Sequence, residues 1–386
     1  VTTPVLVVAA EASSTLYAQR LLELWKKEHR AVSAFGIGSR EMENLGFEIL
    51  GRSEDLAVVG LQEVLAHFSQ IRETFNRILA EAKARKPAFA LLLDYPGFNL
   101  RLAKRLKALG IPVVYYISPQ VWAWRTSRVY DIKKTVDRML VVFPFEVDFY
   151  RKYDIPVNFV GHPLLDEISE DLYDAKTTSE QRSKFGFTDQ DLVLALMPGS
   201  RKSELRFNLQ VQIQAAEKLS KKYPRLQVAL FVAPNFSLDE IQRRLPEIQF
   251  PLRLIQAEPF TMIRLADVVL CASGTATLMV GLLGKPMVIM YKMNAITAFL
   301  AKLIVKNTPF FGLINLVLGR RVVPELFQEQ ANLDGLCTAL EVFINDPQNR
   351  EKTHLELLEA RHCLGNRGAT ERVNEALQPF FEATTV

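Results

Sequence analysis

The chain has 386 residues, 49% of them hydrophobic and 23% charged, with a formal net charge of +4 and a pI near 8.8. Such a composition excludes a disordered or fibrous chain, and the near balance of charge excludes a dedicated nucleic-acid or other polyanion binder. At about 150 residues per domain the length suggests two globular domains.

Val5 to Ala10 reads as a strand. No basic stretch followed by a signal-like apolar run opens the chain, so no export signal is expected. Glu11-Ala12-Ser13-Ser14-Thr15 then turns into a helix from about Leu16 to His29. Glu11 and Ser13 sit where the turn is either an N-cap or a helix start open to an anion. Leu61, Val64, Leu65, Phe68, Ile71, Phe75, Ile78, Leu79 and Ala82 recur at helical spacing and predict a long amphipathic helix. Next, Ala90 to Leu93 is an apolar run closed by Asp94 and a Pro-Gly break, the pattern of a buried parallel strand. Open α/β sheets place their chemistry at such strand tips, so Asp94 is the first catalytic candidate. A helix over Gly97 to Leu109 returns the chain to a strand at Val113 to Ile117, whose following loop, Ser118 to Arg125, holds Trp122 and Trp124. Loops on rigid sheets carry function, and Trp124 is a cleft candidate. Helices at Ser127 to Thr135 and Phe145 to Tyr153, with strands at Met139 to Phe143 and Val157 to Val160, complete a first domain over residues 1–165. His162, at a strand end, is a further cleft candidate. The charged, aperiodic stretch from Leu165 to Asp191 reads as a linker.

The same grammar restarts in a second domain over residues 190–360. Strands are expected at Asp191 to Met197, Gln227 to Val232, Leu252 to Ile255, Val268 to Ala272 and Lys285 to Tyr291. Helices are expected from Arg201 through Leu219, at Phe260 to Leu265 and at Ala276 to Leu283, and from Asn294 onward the chain reads as mainly helical. Three amphipathic helices follow Pro324, and residues 361–386 either fold back on the first domain or pack on a neighbouring molecule. This alternation predicts an α/β protein with two parallel sheets. Ala295 to Val305 is the most membrane-like segment, but it is shorter than the roughly 20 residues of a spanning helix and is broken by Lys302.

Two strand-to-helix turns of the second domain suit an anion. Gly199 and Ser200 precede Arg201 in one, and Ser273, Gly274 and Thr275 form the other. Each offers backbone N–H groups at a helix start, and Arg201 adds bidentate donors for a diphosphate. Neither a Walker G-x-x-x-x-G-K-[ST] nor a G-x-G-x-x-G occurs, which argues against ATP hydrolysis and nicotinamide binding. The five histidines are scattered without metal-ligand spacing, and no metal site is expected. Cys271, Cys337 and Cys363 show no CxxC spacing, so neither a disulfide framework nor zinc is implied and a reducing compartment is the simpler reading.

The motifs LLLDYPGFN (91–99), YISPQVWAWR (116–125), FPFE (143–146), FVGHP (159–163), MPGSR (197–201), ASGTATL (272–278) and GLINLVLGRRVVPELFQ (312–328) resemble those of the lipid-A-disaccharide synthases. These are bacterial membrane-surface glycosyltransferases of the GT-B architecture, and the resemblance runs over nearly the whole chain. It implies two Rossmann-like domains with parallel sheets facing a central cleft, the first binding acceptor and lipid, the second a UDP-sugar. The implied reaction transfers 2,3-diacylglucosamine from UDP-2,3-diacylglucosamine to 2,3-diacylglucosamine 1-phosphate and releases UDP, with no cofactor. By this resemblance Asp94 is the base and Arg201 holds the diphosphate. Gly199, Ser200, Ser273, Gly274, Thr275, Asn315, Glu325 and Gln328 would line the donor site. Acylated substrates imply peripheral docking on the cytoplasmic face of the inner membrane. Val58, Val59, Leu61 and Leu65, with Lys302 and Lys306, are the expected membrane face. A homodimer is left open.

Two departures from the family pattern bear on function. The first loop, usually G-E-x-S-G-D, is Ala10-Glu11-Ala12-Ser13-Ser14-Thr15, and the glutamate expected after the S-G-T turn is replaced in Leu278-Met279. Methionine cannot accept hydrogen bonds from ribose hydroxyls as a glutamate would. Either donor affinity is reduced, the donor differs, or another residue substitutes. Competing readings are therefore a different UDP-sugar enzyme of this fold, such as a lipid N-acetylglucosaminyl transferase or a 2-epimerase, and a catalytically silent lipid-binding relative.

Overall fold

The computed structural model describes residues 2–56, 68–122, 126–293 and 310–383. They divide into two compact units, Val1–Asp166 with Leu364–Val386, and Glu167–Cys363.

In the first unit the apolar runs become strands β1 (Thr3–Ala9), β2 (Val32–Gly38), β3 (Glu48–Arg52), β4 (Ala90–Leu93), β5 (Val113–Tyr116), β6 (Arg138–Val141) and β7 (Val157–Phe159). Among the described residues they form one sheet in the order β3-β2-β1-β4-β5-β6-β7, and every neighbouring pair is parallel. β1, β4 and β5 are buried on both faces, which is why they read as unbroken apolar runs. The sheet reverses its strand order beside β1 and β4, the place where open α/β sheets leave a crevice at the strand ends. β2 and β3 add to the strands expected from sequence. β3 lies at an edge with one fully buried residue, so it has little apolar signature. β2 is broken by glycine for a spatial reason: at Gly36 (φ +140°) a Cβ would lie 2.1 Å from the Val7 carbonyl. The amphipathic helix is described from Phe68 to Arg85, and Ile78 and Ala82 carry its buried face.

The helix Ala369–Glu382 belongs to this unit and packs on the helix Ala12–Lys27. Trp25 donates its indole N–H to Asn374 Oδ1 at 3.0 Å, and the Phe381 ring meets Phe89 edge-on at 5.0 Å. The Asp166 carboxylate caps the helix start, accepting from Gly368 N at 2.6 Å and Ala369 N at 3.0 Å.

The second unit holds β8 (Leu192–Met197), β9 (Leu226–Phe231), β10 (Leu252–Ile255), β11 (Val268–Ala272), β12 (Met287–Tyr291) and β13 (Glu325–Phe327). Its sheet, in the order β10-β9-β8-β11-β12-β13, is also parallel throughout among the described residues. The stretch read as a linker folds here instead. A helix, Ala175–Lys184, is fixed by Arg182, whose Nε and Nη2 donate to the Leu265 carbonyl at 3.0 and 2.9 Å and which pairs with Asp267 at 2.7 Å. Buried Arg264 adds bonds to the Asp174 carbonyl and to Thr178 Oγ1, each 3.2 Å long. Polar anchoring of this kind leaves no apolar periodicity to read. β13 is likewise additional to the expected strands: three residues after a proline offer no pattern.

Candidate active site

In the first unit the chemistry-bearing residues stand where β1 and β4 end side by side, with Ala9 paired to Leu93. Asp94, half-buried, follows at once. Both Asp94 and Tyr95 adopt left-handed backbone angles, φ +47° each. Such a conformation costs a residue other than glycine roughly 1–3 kcal/mol, so a consecutive pair persists only under external restraint. Glu11 lies near the same edge: it acts, after burial, to raise the Tyr95 hydroxyl above its ordinary pKa. Ser14, not Ser13, ties the first loop, since its Oγ accepts from Glu11 N at 2.9 Å and donates to the Glu11 carbonyl at 2.8 Å.

The loop after β5 is knotted to the FPFE motif through Glu146, a wholly buried carboxyl that sequence reasoning did not single out. It accepts from Ser118 Oγ at 2.5 Å, Trp122 Nε1 at 3.1 Å and Phe143 N at 3.1 Å. The last bond is a third-position glutamate reaching back to the helix cap, which the F-P-F-E order encodes. Burial pushes the carboxyl up to about 7 against the hydrogen bonds that lower it. Because the folded pKa lies above the unfolded one, the contribution to stability is full below about pH 4.5 and is lost as pH rises through 7, a change on the order of 3 kcal/mol. Glu146→Gln is expected to flatten that part of a stability-versus-pH curve measured by denaturant titration. It is also expected to destabilise the protein at low pH, where an amide N–H would face Phe143 N–H. An unchanged slope would remove Glu146 as its origin.

His162 is 6% exposed, its Nδ1 accepts from Leu164 N at 3.2 Å, and burial pushes its pKa down to about 3. In this unit it caps the turn Pro163–Leu165. Trp124 lies outside the described residues, as do Val58, Val59, Leu61, Leu65, Lys302 and Lys306.

In the second unit β8 and β11 are neighbours, so the turns that follow them share one edge of the sheet. The Gly199-Ser200-Arg201 turn is not an open anion site. Glu204 Oε2 accepts from Ser200 N at 2.9 Å and Arg201 N at 3.2 Å, while Oε1 pairs with Arg201 Nη1 at 3.4 Å. Gly199 permits this, since a Cβ there would fall 2.3 Å from Glu204 Oε2. The Arg201 side chain remains 45% exposed. Among the described residues nothing lies within 4 Å of a Cβ built on Gly274 in the second turn, and none caps the helix Thr275–Leu282 through its side chain. Ser273 donates to the Phe311 carbonyl at 3.2 Å, and Met279 is half-buried on that helix.

Asn315, Glu325 and Gln328 form the framework of this edge. Buried Asn315 uses its whole amide: Nδ2 donates to the Val323 carbonyl and to Glu325 Oε1, and Oδ1 accepts from Val322 N and Val323 N, all at 2.8–3.1 Å. These four bonds use both N–H groups and both lone pairs of the Asn315 amide. Glu325 accepts from Phe311 N at 2.7 Å and Gly312 N at 3.0 Å. Gln328, 8% exposed and left-handed at φ +50°, donates to the Met293 carbonyl at 3.2 Å. Sequence reasoning also missed the nearly parallel rings of Tyr291, Phe311 and Phe327, with Phe311 and Phe327 centroids 4.9 Å apart and Phe311 43% exposed. Spacing cannot reveal this slab, because its rings come from three separate segments. Among the described residues no cluster of three or more metal-ligating side chains occurs, and no helix is long and apolar enough to cross a membrane.

Residues 5–378 match the family described as lipid-A-disaccharide synthetase. The chain belongs to that family. A lipid-A-disaccharide synthase of Geobacter metallireducens is 38% identical over 369 residues, covering 96% of this chain and 95% of the relative. One of Nitrosococcus oceani is 38% identical over 378 residues, covering 98% and 96%. Lipid-A-disaccharide synthetases are glycosyltransferases, and the chain is a transferase by membership. Solved structures share the fold at far lower identity. UDP-GlcNAc 2-epimerase of Neisseria meningitidis bound to UDP-GlcNAc gives a TM-score of 0.65 at 13% identity, covering 97% of this chain and 100% of the other. An S. aureus MnaA–UDP co-structure gives 0.65 at 10%, covering 99% and 97%. These likenesses show the fold alone, GT-B with two α/β units, and leave the reaction to the sequence relatives.

Proposed function

We propose that the protein transfers 2,3-diacylglucosamine from UDP to the 6-hydroxyl of 2,3-diacylglucosamine 1-phosphate, forming the tetraacyl disaccharide 1-phosphate of lipid A. The observation that carries this reading is the family match along almost the entire chain, with Asp94 at a strand tip of one unit and, in the other, Arg201 on the turn after β8, whose neighbour β11 leads into the Gly274 turn. In the proposed step the Asp94 carboxylate takes the proton of the acceptor 6-hydroxyl as its oxygen attacks C1 of the donor sugar with inversion. The bond from C1 to the β-phosphate oxygen breaks, and UDP leaves with the electron pair. Arg201 and the N–H groups of Gly274 and Thr275 neutralise the charge that develops on the diphosphate, the Ser273 N–H being held by the Met290 carbonyl at 2.8 Å, so the step needs no metal. Glu204 already occupies the other turn, which leaves the Arg201 guanidinium as that turn's contribution.

The relatives' identity disfavours epimerisation and lipid N-acetylglucosaminyl transfer, since the epimerases resemble this chain in fold alone. Peripheral binding to the cytoplasmic face of the inner membrane is part of the proposal, because both substrates carry acyl chains. Mass spectrometry of the protein incubated with UDP-2,3-diacylglucosamine and 2,3-diacylglucosamine 1-phosphate tests the reading. The tetraacyl disaccharide 1-phosphate and an equal amount of UDP are expected. Recovery of both substrates unchanged, or of an isomerised UDP-sugar, would sink it.

A further inference from the structure

β4 ends in two consecutive left-handed residues, Asp94 and Tyr95, and two buried side chains are committed to this pair. The Asp94 carbonyl accepts from the Tyr115 hydroxyl at 2.5 Å and from Asn99 Nδ2 at 2.8 Å. Asn99 Nδ2 also donates to the Leu93 carbonyl at 3.1 Å, and Asp94 N–H donates to the Tyr116 carbonyl at 3.0 Å. Tyr115 and Asn99 are both 0% exposed. Burying a tyrosine hydroxyl and an amide is costly unless they are bonded, and packing alone would be met by phenylalanine and leucine. Here the amide is retained although Asn99 Oδ1 has no hydrogen-bond partner among the described residues. Its donors are what the position uses. The bonds fall on one carbonyl of the strained pair and on the carbonyl just before it, from a neighbouring strand and from the helix that follows. A left-handed residue directs its carbonyl and its side chain differently from a strand residue, so holding the carbonyl sets the direction in which the Asp94 side chain leaves the backbone.

We propose that Tyr115 and Asn99 are positioning residues for the glycosyl transfer: they hold the 94–95 turn left-handed and thereby aim the Asp94 carboxylate, without touching substrate. The proposal deepens the reading of Asp94 as the base and rests on it. The local carboxylate is already felt at Tyr115, whose hydroxyl pKa is raised well above 10 by burial first and by Asp94 second.

The test is steady-state kinetics of the full chain with both substrates, alongside calorimetry with UDP, for Tyr115→Phe and Asn99→Leu. Each is expected to lower kcat by about 10- to 100-fold, the effect of a small misplacement of a reacting group, with KM and UDP affinity within about twofold of the parent. Adding Tyr95→Gly to Tyr115→Phe is expected to restore kcat, because glycine takes the left-handed conformation without restraint. Lost core packing would not be restored in this way. The proposal is overturned if both folded variants keep the parent kcat, or if kcat falls and glycine brings none of it back. Should Tyr115→Phe fail to fold, Asn99→Leu with and without Tyr95→Gly decides by the same criteria. Asp94→Asn separates the two levels. Full turnover by that variant ends the base assignment and this proposal with it, whereas an inactive Asp94→Asn beside fully active Tyr115→Phe and Asn99→Leu overturns positioning alone.

Discussion

Asp94→Asn is expected to lower the rate of disaccharide formation by about 10²–10⁴-fold, the range that removal of a general base produces. Asparagine is the better probe than alanine. It nearly matches aspartate in shape and tolerates the left-handed region, so the φ of +47° survives while the proton acceptor is lost. Alanine would add a backbone penalty and mix stability with catalysis. UDP affinity should stay close to that of the parent, because the proposed diphosphate contacts belong to the second unit. A simultaneous loss of UDP binding would place Asp94 at the donor and not at the acceptor hydroxyl.

Arg201→Ala is expected to act on the other half of the reaction, lowering kcat/KM by about 10²–10³-fold and weakening UDP in calorimetry. The structure sharpens this expectation. Glu204 takes the N–H groups of Ser200 and Arg201, so the guanidinium is the positive group this turn still presents. Its pairing with Glu204 at 3.4 Å and its 45% exposure leave it reachable. Arg201→Lys should recover little, since a single ammonium cannot reproduce two parallel N–H bonds to a diphosphate. Unchanged UDP affinity in Arg201→Ala would move the diphosphate site elsewhere.

The Glu204 contact also illustrates where sequence reading stops. Pro-Gly-Ser-Arg before a helix announces free amides, and it does so wherever a strand meets a helix. Whether a side chain three or four positions on folds back over those amides depends on rotamer and turn together. Asn315, Glu325 and Gln328 make the same point. Their motif marked them as important, yet what matters at Asn315 is a set of bonds to residues 322–325 that rigidifies the edge. His162 was legible only as a strand-end histidine, and the bond that Leu164 N–H donates to its Nδ1 comes from the turn's own geometry.

Within each unit, what the sequence determined was the local grammar. Apolar runs alternating with amphipathic helices are legible because side-chain direction repeats within one element, and two parallel sheets follow from that alternation. For the same reason Asp94 was legible, as the carboxylate that closes such a run. The left-handed turn that aims Asp94, the knot around Glu146 and the slab of Tyr291, Phe311 and Phe327 were decided only by the tertiary structure. So was the return of the helix Ala369–Glu382 to the first unit, where Trp25 meets Asn374 across 349 positions of chain. Such contacts join segments whose separation along the chain carries no period, and only the packing of whole elements selects one partner from the many of equal chemistry.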